Sequence, residues 1–340
     1  MGESQVESPV ERTEPAAARR PGVIDTHHHM LPPFYVAAMG TREIAAVMPN
    51  GRTPDWSPEQ DLAVMDQYGI AKAVLSVSPG IWGKSADQTR TLARQVNEYG
   101  ARMVADHPAR YGHFAILPLP DIDASLGEAA YSLDHLKADG LIIFTNYGGA
   151  YLGDARFDPL WQELNRRRAV VFVHPTQVPY QVTSIPAAVL EFPFDTTRTI
   201  TALIYGGVTV RYPQIRFICS HGGGTAPYLS GRIDGAIRMN PQLSQLLPDG
   251  ALPELKKFYW DTALTFNEPA IRALLALTDV SRILFGSDFP FAPITAIPMG
   301  LKSLETQLPA ADLAAILGGS ARTLLPVLPP AQGLPLNGRN

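Results

Sequence analysis

The chain has 340 residues, of which 46% are hydrophobic and 18% charged, with a formal net charge of −4. That is enough apolar material for a large buried core, and the charge balance gives no reason to expect nucleic acid or an anionic membrane as partner. No apolar run approaches the ~20 residues that cross a bilayer, and a single cysteine, Cys219, excludes an intrachain disulfide and fits a reducing cytoplasm.

Residues 1–21 are rich in Glu, Pro, Ala and Ser without apolar periodicity, which predicts a disordered lead-in. Arg19-Arg20 lacks the apolar region of a twin-arginine export signal behind it. The first strand reads Val23-Ile24-Asp25-Thr26-His27-His28-His29. Alternate side chains share a face, so Asp25, His27 and His29 should point one way and Thr26 and His28 the other. Two imidazoles on one face can grip one metal ion, and the acid below them can orient a ring N–H. Residues 30–56 hold prolines and glycines but no sustained period, as expected of an excursion over the rim of a fold. Ser57-Pro58-Glu59-Gln60 then caps a helix that runs to Gly69.

From there strands and helices alternate. Strands are expected at 71–78, 112–119, 140–145, 169–174, 215–221, 257–263 and 282–288. Helices are expected near 86–106, 124–138, 158–167, 196–211, 225–237, 268–278 and 309–324, with a surface tail over 326–340. Eight strands alternating with helices predict a (β/α)8 TIM barrel over residues 22–325, with a rim insertion after strand one. Val170-Val171-Phe172-Val173 is apolar on both faces, as a buried parallel strand requires. The rival is a doubly wound open sheet, but no Gly-x-Gly-x-x-Gly follows the first strand.

The strand ends carry the chemistry. Strand one ends in His27-His28-His29, strand five in His174-Pro175, strand six in His221-Gly222-Gly223-Gly224 and strand eight in Ser287-Asp288. In a barrel these ends converge on the carboxyl-terminal mouth, where active sites lie. Five of the eight histidines occupy three of them; His107, His113 and His135 fall near helix ends or strand starts, where a solvated or capping role is the default. His27, His29, His174 and Asp288 form the candidate metal set, three imidazoles and a carboxylate with a position left open. His221 is a fifth candidate, for a second metal or for acid–base work. Cys219 should lie one layer deeper as core packing.

These motifs resemble those of a known group. Ile-Asp-Thr-His-His-His is similar to the first-strand Asp-x-His-x-His of the amidohydrolase superfamily. Val-His-Pro, Ser-His-Gly-Gly-Gly and Phe-Gly-Ser-Asp-Phe-Pro resemble later motifs of its decarboxylase branch, which takes in 2-amino-3-carboxymuconate-6-semialdehyde, γ-resorcylate and 6-methylsalicylate decarboxylases. Met65-Asp-Gln-Tyr-Gly-Ile, Ser76-Val-Ser-Pro-Gly and Phe194-Asp-Thr-Thr-Arg resemble the salicylate-type members in particular. The resemblance covers about residues 22–325. It implies His27, His29, His174 and Asp288 as ligands of one Zn²⁺ or Mn²⁺, His221 as the active-site histidine of strand six, and Arg232 as a substrate contact, in some members across a dimer interface. Leu141-Ile-Ile-Phe-Thr-Asn lacks the strand-four lysine that bridges two metals in binuclear relatives, which implies a single ion.

The implied activity is non-oxidative decarboxylation of a small ortho-hydroxy aromatic acid, with Asp288 delivering the proton to the ring and His221 assisting. The alternative is a metal-dependent hydrolase of a lactone or amide on the same scaffold. Phe34, Tyr35, Trp82, Phe144 and Phe289, together with Pro32 and Phe291, are candidates for an apolar, aromatic pocket. A homodimer or homotetramer is expected.

Overall fold

A computed structural model of the protein describes residues 22–178 and 184–325. The expected lead-in over 1–21 and tail over 326–340 lie outside the described residues. Eight strands form the sheet: β1 (Val23–His29), β2 (Ile70–Ser76), β3 (Tyr111–Ile116), β4 (Gly140–Phe144), β5 (Val170–His174), β6 (Arg216–Cys219), β7 (Tyr259–Asp261) and β8 (Ile283–Leu284). Each pairs with the next in sequence, and every pair is parallel.

The last strand meets the first through the stretch just beyond β8. Thr26 donates from its amide and its hydroxyl to the Phe285 carbonyl (both 3.0 Å), and the amides of Asp288 and His29 donate to the carbonyls of His27 (2.8 Å) and Phe289 (2.7 Å). The eight-strand barrel is thereby as the sequence predicts, with helices between strands. β5 is buried along its whole length. Phe172, two residues before His174 on the same face, packs edge-on under His27 at 4.9 Å and against Phe114 at 5.7 Å. This aromatic layer closes the lumen beneath the mouth.

Local signals set the boundaries well on the amino-terminal side of helices. Ser57 accepts from the Gln60 amide with Pro58 at the first helical position, and Gly69 closes that helix at φ +72°. Ser85 and Gln88 form a reciprocal capping box at the start of Ala86–Asp106.

The carboxyl ends of the last three strands are shorter than expected: the regular ladder stops at Cys219, Asp261 and Leu284. The residues beyond leave the ladder to present side chains, and His221 and Asp288 both take left-handed backbone, at φ +52° and +60°. The expected helix over 196–211 is instead Glu191–Tyr205 followed by Val208–Arg211, broken where Gly207 turns to φ +69°. The rim excursion contains two short helices, Pro33–Met39 and Thr41–Ala45, too brief to give a readable period. A hairpin of Asn146–Tyr147 with Ala150–Tyr151 and a helix at Ala296–Gln307 stand outside the expected elements.

One histidine expectation is corrected. His113 lies inside β3 at 1% exposure, with neither ring nitrogen hydrogen-bonded, so it is core and not a solvated strand start. It sits over Gly100, where any side chain would press on its ring. His107 and His135 do cap helix ends.

Candidate active site

β1 reaches the mouth as three consecutive histidines, and its pairing to β2 is irregular between Asp25 and His28. His27 and His29 face the lumen. The His27 Nδ1 lies 2.7 Å from Asp261 Oδ2, and its Nε2 lies 3.1 Å from His29 Nε2 and 3.2 Å from Asp288 Oδ1. His29 Nε2 is also 3.2 Å from Asp288 Oδ1, while its Nδ1 is 2.9 Å from the Ser76 hydroxyl. His174 donates from Nδ1 to the Pro175 carbonyl at 2.8 Å, which fixes the tautomer and leaves Nε2 bare, buried and without a partner. Gly286 permits this crowding, since a Cβ there would come within 2.7 Å of the His27 Cβ.

These four residues offer donor atoms that all lie within 4.8 Å of one another, and all four are buried. A tetrahedral ion with ligand bonds of ~2.0–2.2 Å separates its donors by roughly 3.3–3.6 Å. The 3.1–3.2 Å spacings, together with an orphaned imidazole nitrogen, therefore fit a first-row divalent ion held by His27, His29, His174 and Asp288. Among the described residues this is the one such group.

The electrostatics express the same demand for a cation. Burial and the neighbouring histidines hold the His174 ring well below its ordinary range. Burial likewise takes His29 down to about 4 despite its contact with Asp288. Burial would lower His27 as well, but Asp261 and Asp288 reverse this and raise it to about 10. Burial would raise Asp288, yet the rings of His27, His221 and His29 hold it well below the carboxylate range.

His221 stands beside the group. Its Nε2 is 3.5 Å from Asp288 Oδ2, the carboxylate oxygen turned away from His27 and His29, and its Nδ1 has no described partner. Gly222, Gly223 and Gly224 follow at φ +61°, +71° and +64°. A Cβ on Gly223 would collide with Trp260 and one on Gly224 with the Pro193 carbonyl, so the chain can turn here only as glycine. Cys219 is fully buried, and burial raises its thiol well above the ordinary range, as core packing requires.

Two carboxylates, Asp25 and Asp261, lie behind the site. Asp25, expected to orient a metal-facing ring, instead turns to the far side. Its Oδ2 lies 2.9 Å from His28 Nδ1, and its Oδ1 accepts from the amides of His27 (3.1 Å) and Ser287 (3.0 Å). The irregular β1–β2 register between Asp25 and His28 breaks simple alternation and accounts for the change. The orienting role on His27 falls to Asp261, whose second oxygen accepts from the His221 amide at 2.8 Å and that of Ala263 at 3.0 Å. Asp261 ends β7, two residues short of the end of the expected strand 257–263, so the strand-end rule applied to the other motifs passes over it.

The aromatic candidates separate. Trp82 and Phe144 line a cavity of ≈440 Å³ formed by the loops after β2, β3, β4 and β5, and Phe144 packs edge-on to His174 at 6.1 Å. Phe291 packs on His29 at 5.3 Å. Phe289 lies over His28 at 5.3 Å, Phe34 packs on Tyr99 at 5.8 Å, and the buried Tyr35 donates to the Gly80 carbonyl at 2.7 Å; none of the three lines the cavity. Arg232 is exposed on helix Ala226–Arg238.

A (β/α)8 barrel that draws three imidazoles and a carboxylate together at its carboxyl-terminal mouth is a metal-site barrel enzyme. The chain belongs to the amidohydrolase family, whose sequence model matches residues 24–327. It is 37% identical over 315 residues to the 6-methylsalicylic acid decarboxylase of Penicillium expansum, covering 90% of this chain and 96% of that one. A crystal structure of an amidohydrolase II matches with a TM-score of 0.82 at 26% identity, covering 89% of this chain and 99% of the other. A dihydroxybenzoic acid decarboxylase from Polaromonas sp., with bound manganese and the inhibitor 2-nitroresorcinol, matches with a TM-score of 0.74, covering 90% and 97%. At 20% identity that second likeness speaks to the fold alone.

Proposed function

We propose that the protein decarboxylates a small ortho-hydroxy aromatic acid of the 6-methylsalicylate or γ-resorcylate type, using one divalent ion on His27, His29, His174 and Asp288. The observation that carries this reading is the convergence of those four side chains beside His221 and an aromatic-walled cavity, in a chain whose 37% identical relative is a 6-methylsalicylic acid decarboxylase. His27, His29, His174 and Asp288 would hold a Zn²⁺ or Mn²⁺ ion, which would supply Lewis acidity to the bound acid.

The chain's own groups supply the proton. Asp288 divides its labour: Oδ1 faces His27 and His29, while Oδ2 faces His221. His221 holds a proton toward Oδ2, and Asp288 passes it to the ring carbon that bears the carboxylate. That carbon becomes tetrahedral, the electrons of the C–C bond return to the ring, and CO₂ departs as aromaticity is restored. Trp82 and Phe144 keep water from the ring.

No helix among the described residues is long and apolar enough to cross a membrane; we place the protein in the cytoplasm, in keeping with its single cysteine. Tyr228, Arg232 and Met239 are exposed along one face of helix Ala226–Arg238 and its end, and this face supports a homodimer or homotetramer.

The test is turnover by the metal-loaded protein of 6-methylsalicylate, 2,6-dihydroxybenzoate and simple lactones. Release of CO₂ with formation of 3-methylphenol from 6-methylsalicylate supports the reading. Lactone opening with no CO₂ from any acid overturns it in favour of a hydrolase.

A further inference from the structure

The metal group takes its ligands from β1, β5 and the end of β8, leaving the β2–β5 side of the mouth for substrate. The ≈440 Å³ cavity occupies that side. Its volume falls in the range that encloses a drug-sized ligand, which is more than a bare hydroxybenzoate needs. Its walls are largely apolar, with Trp82, Phe144 and Tyr147 among them, and its one charged lining residue is Lys84.

Several polar groups in the wall are already committed. The Thr176 hydroxyl donates to the Pro79 carbonyl at 2.8 Å. Asn146 donates to Asp195 (2.9 Å) and to the Gln177 carbonyl (3.2 Å), and its own oxygen accepts from the Gly149 amide (3.1 Å). The half-buried Lys84 ammonium makes no hydrogen bond or ion pair with any described residue. The nearest acid in sequence, Asp87, is taken by Arg90, which also binds Asp121. Partly exposed and committed to no described acid, the Lys84 ammonium is free to receive an anionic or oxygen acceptor that enters the cavity.

We propose that the preferred substrate carries, besides the chelating carboxylate and ortho hydroxyl, a further anionic or oxygen-bearing ring substituent that reaches into this cavity and is received by Lys84. The inference rests on the reading above in seating an aromatic acid at the four-residue group. It makes Lys84 the residue that sets specificity among aromatic acids, with Phe144 as the wall between the His174 ring and the substituent chamber.

Equilibrium binding to the metal-loaded full chain tests it, using salicylate, 4-hydroxyisophthalate and 2-hydroxyterephthalate as probes, which differ in the presence and position of a second carboxylate. Wild type should bind at least one dicarboxylate about tenfold more tightly than salicylate. Lys84→Met should erase that preference while leaving salicylate affinity unchanged, and Lys84→Arg should keep it. Equal affinity for all three acids in wild type, a preference that survives Lys84→Met, or no binding of any acid overturns the inference. CO₂ release measured alongside separates the two claims. Turnover with no dependence on Lys84 leaves the decarboxylase reading standing and removes this one. A Lys84-dependent binding preference without CO₂ release does the reverse.

Discussion

The two faces of β1 carry the same residue type to opposite ends. On the lumen face, His27 and His29 each spend one nitrogen on a protein partner, Asp261 and Ser76, and turn the other toward Asp288. On the back face, His28 spends both, on Asp25 Oδ2 (2.9 Å) and Asp61 Oδ1 (2.7 Å). Asp61 is itself held by the Tyr111 hydroxyl (2.6 Å) and the Trp56 indole (3.3 Å). Burial would lower His28, but Asp61 and Asp25 more than offset this and raise it to about 10, so it is a cation at neutral pH. The back face thus contains its own positive charge, whereas the front face is built to receive one. What separates the metal-facing histidines of β1 from the structural one is whether the second nitrogen converges with other ligand atoms, as at Asp288, or is closed off by a carboxylate of its own, as at Asp61.

The sharpest way to break the comparison is to empty the front face. Asp288→Asn and His174→Ala should each drop decarboxylation to background, and His174→Ala should also lower metal content by elemental analysis. An active, metal-free His174→Ala protein would end the metal scheme. Next in size is the back face. His28→Gln leaves Asp25 and Asp61 facing each other in a buried space, and should cost about 3–5 kcal/mol in denaturant unfolding. Unchanged stability would show that the carboxylates do not depend on the His28 cation.

Smaller effects should follow from the residues that adjoin the metal group. His221→Asn should keep the metal and slow turnover about 10²-fold, because only proton transfer to Asp288 Oδ2 is lost. Asp261→Asn should weaken metal binding by roughly 10–100-fold in a competition titration, since the His27 ring loses the charged acceptor that orients it. If the two variants gave the reverse pattern, the roles assigned to them would have to be exchanged.

How much of this is legible in the sequence follows from which interactions are local. The barrel is readable because each β/α unit carries its own signals, such as the Ser57 cap and the apolar run at 170–173. The four converging residues are readable because strand ends must meet at the mouth. Asp261 lies two residues short of the expected strand end, and an acid without a neighbouring histidine gives little notice of itself. Asp61 was not readable at all: it sits in a helix, and only the tertiary fold carries it to His28, 33 residues away in sequence. The true direction of Asp25 depends on a register irregularity that no residue type announces. Lys84 reads as an ordinary loop lysine until the cavity around it is seen.

His113 offers a third state and the finest test. Its two nitrogens are buried without partners, and burial alone lowers the ring to about 4. A free histidine titrates near 6.5, so between those values the unfolded chain binds the proton and the folded chain does not. Stability from this residue is therefore complete above pH ~6.5 and is lost as the pH falls toward ~4, at roughly 1.4 kcal/mol per unit. His29 and His174 also resist protonation in the metal-free chain, so the informative quantity is the difference between wild type and His113→Leu measured across this window. Leucine carries no titrating group and no orphaned nitrogens, so the variant should be as stable as wild type at pH 7 and more stable at pH 5 by unfolding in urea. Parallel stability curves for the two proteins from pH 7 to pH 4.5 would mean that the His113 ring finds an acceptor or water in solution, and that burial without a partner is not what distinguishes it from the histidines of β1.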